Sequence, residues 1–309
     1  MEEDVEYNPL PSDERLLTRV TASIESVEDK ESVDSLRRLV LDSDWRDRVE
    51  SSDKPRIGPG SNSSAFSLIP SELRAFVYLK LLIGPKAEDK IFERDPDGRS
   101  FLQEAIDAEN VCPDVSQIWL DVNRARAKLD HFKQESIRLA MVRLLCLLCN
   151  RNGVKYAQGF HEILAPFMIM PGIKERPRLI YHLFSAFVDQ NMAFLAVLKH
   201  SDNDSDGAQG KDNGNLPKQP DQEAETLSDS WDGLKLCFRA LDSLLLYHDP
   251  ELAVFLSAAG LSAQIYSPNW FMTACSRVLR LELCYVLWDL IVLENEPAGL
   301  LFFVLALMI

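Results

Sequence analysis

The chain has 309 residues, 46% of them hydrophobic and 26% charged, which suits a soluble globular protein with a substantial core. Its formal net charge of −15 argues against a broad phosphate-binding surface, so nucleic acid is not an expected partner. The 13 glycines are scattered, and no Asn-Gly or Asp-Gly turn joins two alternating strands; both facts favour helices over an all-β fold.

Residues 1–66 are polar and acidic and read as a loosely attached, partly helical extension. Leu16, Leu17, Val20, Ile24 and Val27 could share one helix face, and Val33, Leu36, Leu39 and Val40 another. Met1-Glu2-Glu3-Asp4 begins no apolar signal segment, which points to a reducing, cytosol-facing compartment. A linker-like run, Arg56 to Ser64, separates this extension from a domain spanning 67–309. Ser71 stands as an N-cap before Leu73, Phe76, Val77 and Leu81, and Gly84-Pro85 ends that helix. Asp95-Pro96-Asp97-Gly98 marks a turn.

The central stretch, Ile118 to Met168, organises the rest. Ile137, Ala140, Met141, Leu144, Leu145 and Leu148 follow the spacing of a helix face, and Asn152-Gly153 supplies a left-handed end. Phe160, Ile163, Leu164, Phe167 and Met168 form a second apolar helix. Such a helical hairpin would hold Arg124, before it, near Gln158, at its turn.

Arg178 to Leu198 reads as a further helix. Residues 201–230 then carry eight Asp/Glu against two Lys, with no aromatic side chain, so a disordered acidic insertion is expected there. Helical spacing resumes with Leu234, Cys237, Phe238, Leu241 and Leu245. Asp249 as N-cap, Pro250 at the first helical position and Glu251 in the first turn open the next helix, and Gly260 ends it. Segments around Trp270–Leu279 and Leu281–Leu293 follow. The apolar run Ala298 to Ile309 is too short to cross a membrane and reads as a buried helix, cut short as though a C-terminal portion were missing.

The six cysteines lie mostly within apolar helical runs. Cys146 and Cys149 have zinc-ligand spacing but no second pair or spaced histidine, so buried reduced thiols are expected and no metal site. His161 and His248 have no Ser or Cys partner in a recognisable motif and read as structural. No Gly-rich phosphate loop of the Walker type is present, so no nucleotide cofactor of its own is expected.

Four motifs in order carry a family resemblance. Ile118-x-x-Asp121-x-x-Arg124 and Tyr156-x-Gln158-Gly159 resemble the paired finger motifs of TBC domains, the GTPase-activating domains for Rab GTPases. Leu73-Arg74-Ala75-Phe76-Val77-Tyr78 resembles the family's opening helix, and Asn269-Trp270-Phe271-Met272-Thr273 with Leu287-Trp288-Asp289 its third motif. Tyr247-His248-Asp249-Pro250-Glu251-Leu252 is similar to the branch containing member 23 and the kinase-like TBC proteins. Ala125, Phe160-His161 and Tyr78 depart from the family's usual Thr, Met-Asn and Trp.

The resemblance implies an all-α TBC domain that stimulates a partner's hydrolysis without an active site of its own. A Rab GTPase in its GTP-bound state would be that partner, holding the nucleotide and Mg²⁺. Arg124 would neutralise charge on the transferring phosphoryl group, an effect worth roughly 10³–10⁵ in rate for arginine fingers. Gln158 would orient the attacking water, since a carboxamide both donates and accepts. Asp121 would hold the Arg124 guanidinium, and Tyr156 and Gly159 would shape the loop. The resemblance also implies a cytoplasmic protein, peripheral to Golgi or endosomal membranes and acting in vesicle traffic. Its non-catalytic alternative is an adaptor that captures vesicles through tethering proteins.

Overall fold

Apolar residues at helical spacing build an all-α architecture, and no extended strand occurs among the described residues. The structure, a computed structural model, describes residues 14–42, 68–92, 98–192, 232–296 and 298–309. The expected acidic insertion at 201–230 and the linker-like run at 56–64 lie outside the described residues.

Two helices precede the expected domain, α1 (Glu14–Glu25) and α2 (Lys30–Asp42). They are not loosely attached. Val20, Leu36 and Val40 are buried in the common core, and the Arg37 guanidinium donates to the Leu81 carbonyl at 3.3 Å. Each valine or leucine buried in this way contributes about 1.5–3 kcal/mol, which is enough to dock a short amphipathic helix.

The next helix, α3 (Arg74–Tyr78), is not capped by Ser71. The Leu73 and Arg74 amides donate instead to the Pro70 carbonyl, and Ser71 lies in the preceding turn with its hydroxyl buried and unbonded. The helix continues as a π-helical turn, Leu79–Ile83, and stops at Gly84, whose φ of 121° suits glycine. Then come α4 (Ala87–Phe92), α5 (Arg99–Val111), α6 (Val115–Val122) and α7 (Asp130–Lys133).

The long helix α8 (Glu135–Asn152) ends as its sequence predicts: Gly153 adopts φ 58° and its amide donates to the Cys149 carbonyl. Residues 144–148 are buried on every side, so this helix is central rather than amphipathic. Arg151 and Arg143 tie it to α5 through Glu104 and Glu109, at 2.5 and 2.8 Å. Across α8 lie α9 (Phe160–Ile169) and α10 (Pro177–Asn191). Cys146 and Cys149 are buried free thiols; burial, with Cys112 close by, pushes the Cys149 pKa up to about 12.

The C-terminal helices are α11 (Asp232–His248), α12 (Pro250–Ala258), α13 (Ala263–Tyr266), α14 (Pro268–Met272), α15 (Leu281–Glu294) and α16 (Gly299–Ala306). Asp249 caps α12 by accepting from the Leu252 amide at 2.9 Å. The expected buried C-terminal helix is buried on one face only. Leu300 and Val304 face the core, whereas Phe302 and Leu307 are about half exposed; among the described residues α16 packs chiefly against α11, α14 and α15.

Trp288 of α15 forms the centre of the aromatic core, with ring centroids 4.6 Å from Phe187 and 5.2 Å from Phe167. Its neighbour Asp289 is fully buried and receives Arg74 Nε at 2.8 Å, Arg74 Nη2 at 3.1 Å, Tyr78 Oη at 2.8 Å and the Ile69 amide at 3.2 Å. Four donors aimed at two oxygens suit the ionised, acceptor-only carboxylate. Burial alone would lower the Arg74 pKa, but the carboxylate beside it raises it, so the guanidinium stays charged.

Candidate functional site

Helix α6 places Ile118 and Asp121 on its buried side. Arg124 follows one turn later, where the helix has ended, with its side chain 70% exposed. Its guanidinium folds back over that end, donating from Nε to the Leu120 carbonyl at 3.0 Å and from Nη2 to Asp121 Oδ1 at 3.1 Å. One of the carbonyls left open at the helix terminus is thereby satisfied. The rest of the planar fork faces outward.

The other oxygen of Asp121 faces the second motif. Tyr156 Oη donates to Asp121 Oδ2 at 3.2 Å and lies 2.8 Å from His161 Nδ1. The Tyr156 amide is held separately by Asp114, at 3.0 Å. Burial and the adjacent Asp121 carboxylate raise the Tyr156 pKa, so the phenol keeps its proton. Asp121 thus joins the two motifs. Arg124 is bonded to it directly, and Gln158 stands exposed two residues beyond the tyrosine that is bonded to it.

Gly159 opens α9 with φ 118°. A Cβ there would lie 2.5 Å from the Met272 carbonyl oxygen, so only glycine lets the turn after Gln158 meet the turn after α14. Gly159→Ala is expected to cost at least about 1–2 kcal/mol from the left-handed backbone alone, with the clash added. Thermal denaturation measures this; an unchanged melting temperature would rule out the close approach.

That third turn was not legible as part of the site. Ala274 and Cys275 adopt φ of 44° and 59°, and with Arg126, at φ 45°, they are three of the four non-glycine residues described with left-handed backbone. Pro166 explains one tie between the turns. Inside α9 it has no N–H for the Glu162 carbonyl one turn earlier, and the Ser276 hydroxyl donates to that carbonyl instead, at 2.9 Å. Arg126 donates to the Ser276 carbonyl and lies 3.4 Å from the Glu162 carboxylate. Trp288 Nε1 bonds the Ala274 carbonyl at 2.9 Å, anchoring this turn to the core. Sequence reasoning missed Arg126, Glu162 and Ser276; the one available signal was Pro166 within a helical run.

The profile of the Rab-GTPase-TBC domain family matches residues 71–203 and 223–309. This chain belongs to that family. Human TBC1 domain family member 5 is 24% identical over 219 residues, covering 63% of this chain and 27% of the relative. The TBC domain-containing protein kinase-like protein of Dictyostelium discoideum is 27% identical over 210 residues, covering 67% of this chain and 17% of the relative. The chain therefore spans only about a quarter or less of the length of these relatives.

Among solved structures, the Ypt/Rab-GAP domain of Gyp1p superposes with a TM-score of 0.63 at 14% identity, covering 94% of this chain and 84% of that one. The Chlamydomonas flagellar RabGAP TBC domain gives 0.55 at 17% identity, covering 97% and 83%. These likenesses establish the TBC fold. No described helix is long and apolar enough to cross a membrane.

Proposed function

We propose that this TBC domain accelerates GTP hydrolysis by a Rab-type GTPase, supplying Arg124 and Gln158 in trans. The observation that carries the reading is the exposed Arg124 guanidinium fixed to a buried carboxylate, Asp121, which also holds the Gln158 segment through Tyr156. A long cationic side chain otherwise loses about 2 kcal/mol of rotamer freedom when it is ordered at a phosphate. Pre-bonding at Nε and Nη2 removes part of that cost before the partner arrives.

In this mechanism the partner holds GTP and Mg²⁺. Arg124 extends positive charge toward the γ-phosphoryl oxygens, where negative charge grows in the transition state. The Gln158 carboxamide accepts from the attacking water and donates to a phosphoryl oxygen, holding the two in line. The same reading, by family resemblance, has the protein act in vesicle traffic at Golgi or endosomal membranes.

The test is phosphate release from a panel of GTP-loaded Rab proteins with and without this protein. Stimulation of at least one member is expected. A panel without stimulation, together with intact partner capture, would replace this reading with that of a TBC-fold adaptor.

A further inference from the structure

A tyrosine hydroxyl has one proton, and Tyr156 Oη has two polar neighbours within hydrogen-bond distance: Asp121 Oδ2 at 3.2 Å and His161 Nδ1 at 2.8 Å. Asp121 accepts from Arg124 on its other oxygen and is 2% exposed. Paired with the Arg124 guanidinium, the carboxylate serves as an acceptor, so the phenolic proton points to it. Were that proton turned to His161 instead, the phenol and carboxylate oxygens would face each other with lone pairs only. The remaining arrangement puts a proton on His161 Nδ1, donating to Tyr156 Oη. Burial, Arg277 and Arg124 hold the His161 pKa down at about 4 despite Asp121, so the ring is neutral at pH 7 and Nε2 is its bare nitrogen. Nε2 faces Glu162 Oε1 at 3.8 Å, beyond a hydrogen bond.

From this geometry we infer that His161 is a positioning residue for Arg124, acting through Tyr156 and Asp121. In the chain of bonds His161 Nδ1–H donates to Tyr156 Oη and Tyr156 Oη–H to Asp121 Oδ2, while Arg124 Nη2 donates to Asp121 Oδ1. His161 touches neither nucleotide nor water in this scheme. It fixes the direction in which Tyr156 donates, and so the rotation of the Asp121 carboxylate against which Arg124 is set. The inference rests on the proposed role of Arg124 as a finger.

Two measurements test it. Nitrogen NMR of histidine-labelled protein at pH 7 should show His161 protonated at Nδ1; a ring protonated only at Nε2 would overturn the inference. In stimulated hydrolysis, His161→Leu and Tyr156→Phe should each lower kcat roughly tenfold or more with KM little changed, since a misdirected group costs rate rather than association. His161→Asn, which keeps a donor on a short side chain, should recover most of the rate, and the double variant should lose no more than either single one. Tyr156→Phe removes only a hydroxyl, so it guards against misfolding in His161→Leu. Full kcat in both single variants, while Arg124→Ala is inactive, would overturn the role of His161 and leave the finger standing. Undiminished rate in Arg124→Ala would remove the finger itself, and this inference with it.

Discussion

Arg124→Ala is expected to lower stimulated GTP hydrolysis by about 10³-fold or more while the domain stays folded. The fold should tolerate the change because the side chain is 70% exposed, and an ion pair with one partner so solvated contributes about 1 kcal/mol or less. Arg124→Lys should fare almost as badly. The bonds to the Leu120 carbonyl and to Asp121 come from two nitrogens of one planar fork, and an ammonium cannot make both while also spanning phosphate oxygens. Gln158→Ala should lose roughly 10²-fold, the scale of removing one oriented polar group from a transition state. Single-turnover phosphate release with a thermal melt of each variant separates rate from stability. Wild-type rates in Arg124→Ala would end the finger assignment.

Asp289→Ala should have the largest effect on stability, about 3–5 kcal/mol, because it leaves the Arg74 guanidinium charged, buried and unpaired. The Tyr78 hydroxyl and the Ile69 amide lose their acceptor in the same substitution. Asp289→Asn should also be costly, since an amide presents two donors toward a guanidinium. Arg74 additionally lies over the Tyr285 ring, 4.6 Å from its centroid, so Arg74→Met should keep part of that packing and lose less than Arg74→Ala. Denaturant midpoints measure these changes. A loss below about 1 kcal/mol for Asp289→Ala would mean that the pair is solvated or neutral.

The elements legible in the sequence are those set by short spacings. The end of α8 at Gly153 and the Asp249-Pro250 start of α12 needed only a few consecutive residues. The contact of Arg124 with Asp121 likewise spans a single helical turn. What could not be read depends on distant segments. Nothing local to Asp121 announces that Tyr156, 35 residues on, shares its carboxylate. The attachment of α1 and α2 was missed for the same reason: their apolar faces were visible, but the surface that buries them was not. Half-exposed Phe302 and Leu307 show the converse limit, since an unbroken apolar run does not reveal how many neighbours it has. Ser71 is the local exception, because its own neighbour Pro70 takes the amides that Ser71 was expected to cap.

The buried Arg74–Asp289 pair also constrains the order in which the chain can assemble. Its partners are 215 residues apart, and the Tyr285–Pro166 and Ser276–Glu162 bonds close loops of 119 and 114 residues. Loop-closure entropy comes before any contact of this kind can form, so such long-range closures are slow steps. On the ribosome, α3 emerges well before α15 and waits for it with a buried-type arginine open to water. Chains arrested before Leu281 should therefore hold a helical but unsealed core, the state in which a nascent domain of this size is most exposed to chaperones and to aggregation.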